Sequence, residues 1–162
     1  MYKACIFDLD GTLLKSDNTM SPFTQDTLKL MKKLENELVP CTDRTLENIP
    51  SELLEDGLCR YLILNTGKVV YDALEKKVVF ENCEATKGDA LLWLSESLNV
   101  IKPDVLFFGD GEDDISVMQH RFETVAMING SPKLRSLAKY TTQVSNNRDG
   151  MPIFLREYFY LY

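Results

Sequence analysis

The sequence contains few of the residues that build disulfide-stabilised or zinc-binding proteins. Cysteine occurs four times and histidine once in 162 residues. The four cysteines are widely separated, and none lies in a Cys-x-x-Cys pair. This spacing excludes a disulfide framework and a zinc site as organising features of the fold. It is typical of a protein with reduced thiols, and we therefore predict a cytoplasmic localisation.

Long apolar runs and an excess of positive charge are absent as well. No apolar stretch approaches the roughly 18 residues of a membrane-spanning helix, and the N-terminus does not have the pattern of a signal peptide. The 18 basic and 25 acidic residues give a net charge of -7, which disfavours nucleic acid as a partner. The composition, 44% hydrophobic, and the length predict one globular domain, residues 1–162.

Strand-like and helix-like patterns alternate along most of the chain. Short apolar runs predict strands at 4–7, 38–41, 61–64, 68–71, 77–80, 105–108, 124–127 and 140–144. Periodicity and capping residues predict helices that begin at Pro22, cover 46–56, 87–98 and 114–121, begin at Ser131 and carry Ile153–Phe159. The alternation predicts an α/β fold with a doubly wound, mostly parallel sheet and a site at the carboxyl edge of the strands. Residues 61–82 form a β-hairpin insertion in this prediction.

Two acidic clusters directly follow apolar strands. Asp8 and Asp10 point to the same side of extended chain, where they can hold a hard cation or divide nucleophile and acid–base roles. The segment Gly109–Asp114 combines glycines with acids that can ligate a divalent metal. The simpler interpretations are an Asp-Gly turn with solvated acids and acidic capping of the following helix.

Two further clusters offer groups that bind an anion. Thr42, Asp43 and Arg44 follow the second strand, and a hydroxyl with the next backbone N–H can bind a phosphoryl oxygen. Lys87 opens a helix, where the helix dipole disfavours a cation, and this position suggests a specific task. A polar loop and an ordinary surface lysine are the alternative interpretations. All four clusters fall at one predicted sheet edge, which favours a shared site.

In this order the clusters resemble the motifs of the haloacid dehalogenase superfamily of phosphotransferases, and specifically its Cof-type sugar-phosphatase branch. The matching stretches are Phe7–Leu13, Thr42–Arg44, Leu64–Asp72, Thr86–Leu91, Phe108–Met118, Val125–Gly130 and Ser145–Gly150. The likeness runs nearly end to end. It implies a Rossmann-like core and, as partner, a phosphorylated small molecule such as a sugar phosphate. A site without a closing lid would also admit a bulkier phosphate ester.

The resemblance also implies roles for individual residues. Asp8 would attack phosphorus and form an aspartyl-phosphate, and Asp10 would protonate the leaving oxygen and later activate water. Mg²⁺ would sit on the Asp8 carboxylate, the Asp10 carbonyl and the Asp110 carboxylate. Thr42, the backbone of Asp43 and Lys87 would bind the phosphoryl oxygens.

Three departures from the family pattern bear on function. Asp43 stands where the family usually has glycine, and Asp113 stands where it usually has asparagine, close to the expected phosphoryl site. Relatives insert a folded cap domain between the second and third motifs. Here only residues 83–86 separate the predicted hairpin from Lys87, so we expect no full cap domain.

We therefore expect a Mg²⁺-dependent phosphatase of the haloacid dehalogenase type. The alternative is a degenerate, non-catalytic member that binds a phosphorylated ligand or a protein. A phosphomutase is a third interpretation, which a site without a lid disfavours because the aspartyl-phosphate must be shielded from water. We also expect a homo-oligomer, formed through the hairpin 61–82 or the aromatic C-terminal segment 154–162.

Overall fold

The core of the protein is a five-stranded parallel sheet. A computed structural model describes residues 3–159. The strands of the main sheet are β1 (Ala4–Phe7), β2 (Glu37–Pro40), β6 (Val105–Gly109), β7 (Glu123–Ala126) and β8 (Tyr140–Thr141). Their order across the sheet is β2-β1-β6-β7-β8. The predicted α/β fold with a mostly parallel sheet is confirmed.

Helices cover both faces of this sheet. They are α1 (Pro22–Lys33), α2 (Lys87–Ser97), α3 (Ile115–Gln119), α4 (Pro132–Leu137) and α5 (Gly150–Tyr158). Alternate residues of β1 belong to different cores: Cys5 and Phe7 pack with residues of α1 and α5, whereas Ala4 and Ile6 pack with residues of α2 and α3. A buried parallel strand needs apolar side chains on both faces, which explains the uninterrupted apolar run.

The starts of two helices follow from local sequence. Ser21 caps α1 by accepting a hydrogen bond from the Thr24 N–H at 3.1 Å, and Pro22 occupies the first helical position. Thr86 and Asp89 form a reciprocal capping box at the start of α2. This box fixes the backbone at Lys87, the first residue of α2.

A second sheet of three antiparallel strands lies beside the first. It consists of β3 (Tyr61–Leu64), β4 (Val69–Asp72) and β5 (Lys77–Glu81), in that order. A bridge between Cys41 and Ile63 joins it to the end of β2, and residues 82–86 connect β5 to α2. The predicted hairpin is therefore a three-stranded sheet with a bulge in its β4–β5 pairing.

Several predicted bounds were wrong. Residues 46–56 form no α-helix but three short 3₁₀ turns, because Pro50 interrupts the segment and Asp56 adopts a left-handed φ of 52°. The strand predicted at 140–144 has only two residues, Tyr140–Thr141. The last three residues of the predicted aromatic segment, 160–162, lie outside the described part of the chain. Within residues 3–159, no helix has both the length and the apolar character needed to cross a bilayer.

Candidate active site

The carboxyl ends of β1, β2 and β6 bring three of the sequence clusters together. Asp8 follows β1, and its N–H donates to the Phe108 carbonyl of β6 at 3.0 Å. On the other side, the Cys41 N–H donates to the Phe7 carbonyl at 2.7 Å, which places Thr42 next to the end of β1. Because the strands are parallel, the residues that follow them lie along one edge of the sheet.

Lys87 reaches this edge from the N-terminus of α2. Its side chain is only 1% exposed, and its ammonium lies 2.8 Å from Asp114 Oδ1, 3.0 Å from Asp113 Oδ2 and 3.4 Å from Asp8 Oδ1. A buried ammonium with three carboxylates is a paired charge, as burial requires. The interpretation of Lys87 as an ordinary surface lysine is thereby wrong.

Asp114 is a member of this cluster to which the sequence analysis assigned no role of its own, although it lies in the predicted acidic segment Gly109–Asp114. Its side chain is fully buried, and besides Lys87 it accepts hydrogen bonds from the Asp110 N–H at 3.0 Å and the Gly111 N–H at 3.1 Å, both on Oδ2. These contacts hold the loop after β6 in place and leave its oxygens largely occupied. The four-residue spacing from Asp110, followed at once by the apolar turn of α3, was the signal that could have identified it.

Burial and like charge shift the ionisation of the acids. Burial raises the pKa of Asp8 to about 9, with a further contribution from Asp114 and an opposing one from Lys87. Burial likewise raises the pKa of Asp114 to about 6 and raises that of Asp110. Burial would lower the pKa of Lys87, but the surrounding thiol and carboxylates hold it above its ordinary value. An unscreened carboxylate at Asp8 is therefore unfavourable without a further cation.

The acids offer a ligand set for a hard divalent cation. One carboxylate oxygen from each of Asp8, Asp110 and Asp114 lies within 4.8 Å of the others. Asp110 Oδ1 accepts a hydrogen bond from the Thr12 hydroxyl at 3.0 Å, and the Leu9 N–H donates to Asp8 Oδ1 at 2.8 Å. Both carboxylates keep acceptor capacity beyond these bonds, and all-oxygen ligands are those that Mg²⁺ prefers.

Gly11 lets the chain turn away from the site without placing a side chain in the space next to Asp110. Its φ is +77°, and a Cβ built at this position would collide with the Asp110 carboxylate. Only glycine combines a left-handed backbone with this close approach. The interpretation of Asp8–Gly11 as a mere solvated turn does not account for this packing, because Asp8 itself is 7% exposed.

Asp10 is paired with Arg44 rather than with the buried acids. Arg44 Nη2 and Nε donate to the two carboxylate oxygens of Asp10 at 2.6 and 3.0 Å. The hydrogen bonds from Arg44 lower the pKa of Asp10. Arg44 is itself held by the Asn48 carbonyl at 2.8 Å and by Asn18 Oδ1 at 3.2 Å. The Asp10 side chain, 47% exposed, thus lies at the open side of the cluster.

The remaining predicted residues differ in how they face the cluster. Thr42 is fully buried, and its Oγ1 accepts a hydrogen bond from the Arg44 N–H at 3.0 Å. Asp43 is exposed, and its φ is not among the positive values of the chain, so the position does not demand glycine. Asp113 contacts Lys87 and is 40% exposed, so it lies between the buried cluster and solvent.

The sequence matches the model of one protein family over most of its length. A family model described as haloacid dehalogenase-like hydrolase matches residues 5–83 and 81–155. These two matches together cover most of the chain and include all seven predicted site residues.

The matches to individual relatives cover only part of the length of each relative. A provisionally named phosphatase of Streptococcus pyogenes is 26% identical over 134 residues, 83% of this chain and 44% of that protein. The HMP-PP phosphatase of Serratia proteamaculans is 36% identical over 72 residues, 44% of this chain and 26% of that protein. The chain thus spans less than half the length of these relatives. A haloacid dehalogenase-like hydrolase from Bacteroides thetaiotaomicron has the same fold, with a TM-score of 0.88, 16% identity, and coverage of 98% of this chain and 100% of that one.

Proposed function

Because the chain belongs to the haloacid dehalogenase-like hydrolase family, we propose that it is a Mg²⁺-dependent phosphatase that hydrolyses a phosphate monoester through an aspartyl-phosphate. The observation that carries this proposal is the buried cluster in which Lys87 meets Asp8 at 3.4 Å, beside Asp110. A nucleophilic carboxylate, a fixed cation and a cation-binding acid are the groups that transfer of a phosphoryl anion requires.

In the proposed reaction, an Asp8 oxygen attacks phosphorus and the bond from phosphorus to the ester oxygen breaks. Asp10 donates a proton to the departing alkoxide. Asp10 then takes a proton from water, whose oxygen attacks phosphorus, and inorganic phosphate leaves as Asp8 is regenerated. Arg44 favours the ionised form of Asp10, so Asp10 has to exchange Arg44 for the ester oxygen and take up a proton from solvent before it can act as the acid.

The residues assigned to Mg²⁺ are the carboxylates of Asp8 and Asp110 and the carbonyl of Asp10. The free acceptor capacity of the two carboxylates supports this set. When bound, the ion supplies positive charge that favours the ionised form of Asp8 and screens the incoming phosphate. Asp114 is the less suitable ligand, because its oxygens already accept three hydrogen bonds.

Thr42, the backbone of Asp43 and Lys87 are the groups proposed to bind the phosphoryl oxygens. The placement of Thr42 beside the end of β1 supports this assignment. Asp113, which contacts Lys87, belongs to the same subsite and would share the ammonium with substrate. The name of the Serratia relative, a phosphatase, supports a phosphorylated small molecule as substrate.

One observation favours the alternative of a non-catalytic, ligand-binding member. Three carboxylates already surround the Lys87 ammonium, so substrate has to compete with Asp113 for it. Hydrolysis of p-nitrophenyl phosphate, measured with Mg²⁺ and after its removal by EDTA, decides between the two. We expect Mg²⁺-dependent turnover that Asp8→Asn abolishes. A rate no higher than that of Asp8→Asn protein would overturn the phosphatase and favour the binding module.

The domain organisation, localisation and assembly state complete the proposal. We infer a single core domain in which the three-stranded sheet replaces a cap, because only five residues, 82–86, connect β5 to α2. Four free cysteines, three of them buried, support a cytoplasmic location.

The edge strand β5 supports a homo-oligomer. It has Lys77 and Glu81 at its ends, so two copies of β5 that pair in antiparallel orientation would place opposite charges against each other. Light scattering at micromolar concentration tests this: an 18.5 kDa species would overturn it.

A further inference from the structure

Three consecutive residues after β3 adopt a left-handed backbone. The φ angles of Asn65, Thr66 and Gly67 are 52°, 57° and 97°. Asparagine and glycine tolerate this region, but a β-branched threonine rarely adopts it. Such strain persists only where surrounding contacts determine the backbone, and it clusters at functional sites. We therefore expect the left-handed backbone of this turn, Asn65–Gly67, to be imposed by the segments that contact it.

On one side the turn is bonded to the segment that carries Thr42. The Thr66 N–H donates to the Thr42 carbonyl at 2.9 Å, and the Asn65 N–H donates to the Arg44 carbonyl at 3.1 Å. The Thr42 N–H in turn donates to the Ile63 carbonyl at 2.9 Å. Two backbone hydrogen bonds to the turn and one to β3 thus fix residues 42–44 relative to this part of the chain.

On its other side the turn touches the N-terminus of α2. A Cβ built on Gly67 would collide with the Thr86 carbonyl and lie 2.5 Å from the backbone nitrogen of Lys87. The next residue, Lys68, donates from Nζ to the Ala85 carbonyl at 3.0 Å. The backbone of the turn therefore packs directly against the residue whose ammonium enters the acidic cluster.

We propose that the Asn65–Gly67 turn is a spacer that sets the distance between Thr42 and Lys87, with Thr66 and Gly67 as positioning residues. This inference rests on the proposed function, in which both groups bind the same phosphoryl group. The turn acts through preorganisation, since a displacement of about 1 Å in a catalytic group costs about 100-fold in rate. The absence of a Cβ at Gly67 lets the turn approach the start of α2 this closely.

The test compares two glycines that share a left-handed backbone but differ in surroundings. Gly57 has φ +67° and open space around its Cβ position, so Gly57→Ala strains the backbone without moving a neighbour. Gly67→Ala has to push α2 and the turn apart. We expect Gly67→Ala to lower kcat/KM for p-nitrophenyl phosphate at least tenfold and to weaken orthovanadate binding, measured by calorimetry, by a similar factor. Gly57→Ala should leave both within twofold.

Equal kinetics and equal orthovanadate affinity for the two variants would overturn the spacer. If thermal melting shows that Gly67→Ala is unfolded, Lys68→Met replaces it, with exposed Lys29→Met on α1 as its control. Lys68→Met should then lower kcat/KM at least threefold, mainly through KM, and equal values for the two lysine variants would overturn the inference. If the wild type shows no turnover, the proposed phosphatase activity is overturned instead. Orthovanadate affinity then tests the spacer alone. Equal affinities of Gly67→Ala and the wild type, or no binding by the wild type, would overturn the spacer.

Discussion

Replacing Asp113 by asparagine should strengthen substrate binding in the proposed phosphatase. Asp113 Oδ2 lies 3.0 Å from Lys87 Nζ, so its charge competes with the phosphoryl group for that ammonium. Asparagine keeps the shape and one acceptor oxygen but removes the negative charge. We therefore expect Asp113→Asn to lower KM for a phosphate monoester and to weaken the binding of Mg²⁺ modestly.

The size of the effect follows from the geometry. A phosphoryl oxygen bonded to Lys87 at about 3 Å would lie up to about 6 Å from Asp113, if both flank the same ammonium. Two unit charges at about 6 Å repel each other by about 0.7 kcal/mol at a dielectric constant of about 80 and about 1.4 kcal/mol at about 40. Asp113 is 40% exposed, so values in this range apply. They correspond to a three- to tenfold lower KM, with about tenfold for each 1.4 kcal/mol.

The assay is steady-state hydrolysis of p-nitrophenyl phosphate at saturating Mg²⁺ and low ionic strength. Glu112→Gln is the matched control, because Glu112 is an exposed acid next to Asp113, and within the described chain the ion pairs of Lys87 are with Asp8, Asp113 and Asp114. The difference between the variants should shrink in high salt, where exposed charges are screened. An unchanged KM, or the same decrease in Glu112→Gln, would refute the competition for Lys87.

Three further results are expected. Asp8→Asn should lower kcat by at least about 10³-fold with an unchanged circular dichroism spectrum, because an amide is a poor nucleophile; retained turnover would remove Asp8 from that role. In EDTA, the native state keeps a proton on Asp8 that the unfolded chain has lost, since burial raises its pKa from 3.8 to about 9. The unfolding free energy of wild type should therefore fall by about 1.4 kcal/mol per pH unit relative to Asp8→Asn between about pH 5 and 8, measured by urea titration, and a constant difference would contradict this. Asp114→Ala should lose about 3–5 kcal/mol of stability because it strips buried Lys87 of a partner, whereas Asp113→Ala should lose only about 1 kcal/mol; equal urea midpoints would contradict this.

The sequence was sufficient to predict the inner strands β1 and β6 because both faces of these strands are buried. Such strands read as unbroken apolar runs, and β1 and β6 were found at nearly their observed bounds. Pro40 in β2 lacks an N–H, which is unfavourable in the interior of a sheet. The structure tolerates it since β2 is the last strand on that side of the parallel sheet.

The prediction of a helix over residues 46–56 was wrong because most residues of this segment, taken together, are compatible with a helix. Pro50 and the left-handed Asp56 divide it into separate turns, and a window average conceals both. In the site, the linear motifs identified Asp8, Asp110 and Lys87 but not the burial of Asp114. That residue looks like any acid at a helix start until the fold buries it against Lys87.

The sequence predicts that Arg44 can reach an anion or a neighbouring acid, but it does not identify Asp10 as that acid. The pairing joins residues 34 positions apart, and the loops that carry them meet only because β1 and β2 are neighbours. Side-chain partners chosen among several nearby charges depend on tertiary geometry, which local patterns do not encode.

The short junction between β5 and α2 makes this protein a suitable host for a grafted module. The Asn82 N–H is tied to the Lys68 carbonyl at 2.9 Å, and Cys83 and Glu84 beyond it are exposed. The entropic cost of lengthening an exposed loop grows slowly, by about 0.6 kcal/mol for each doubling. A compact domain with adjacent termini could therefore be spliced between residues 83 and 84 without disturbing the core. Libraries of such insertions would let selectivity be exchanged while the buried acids and Lys87 stay unchanged.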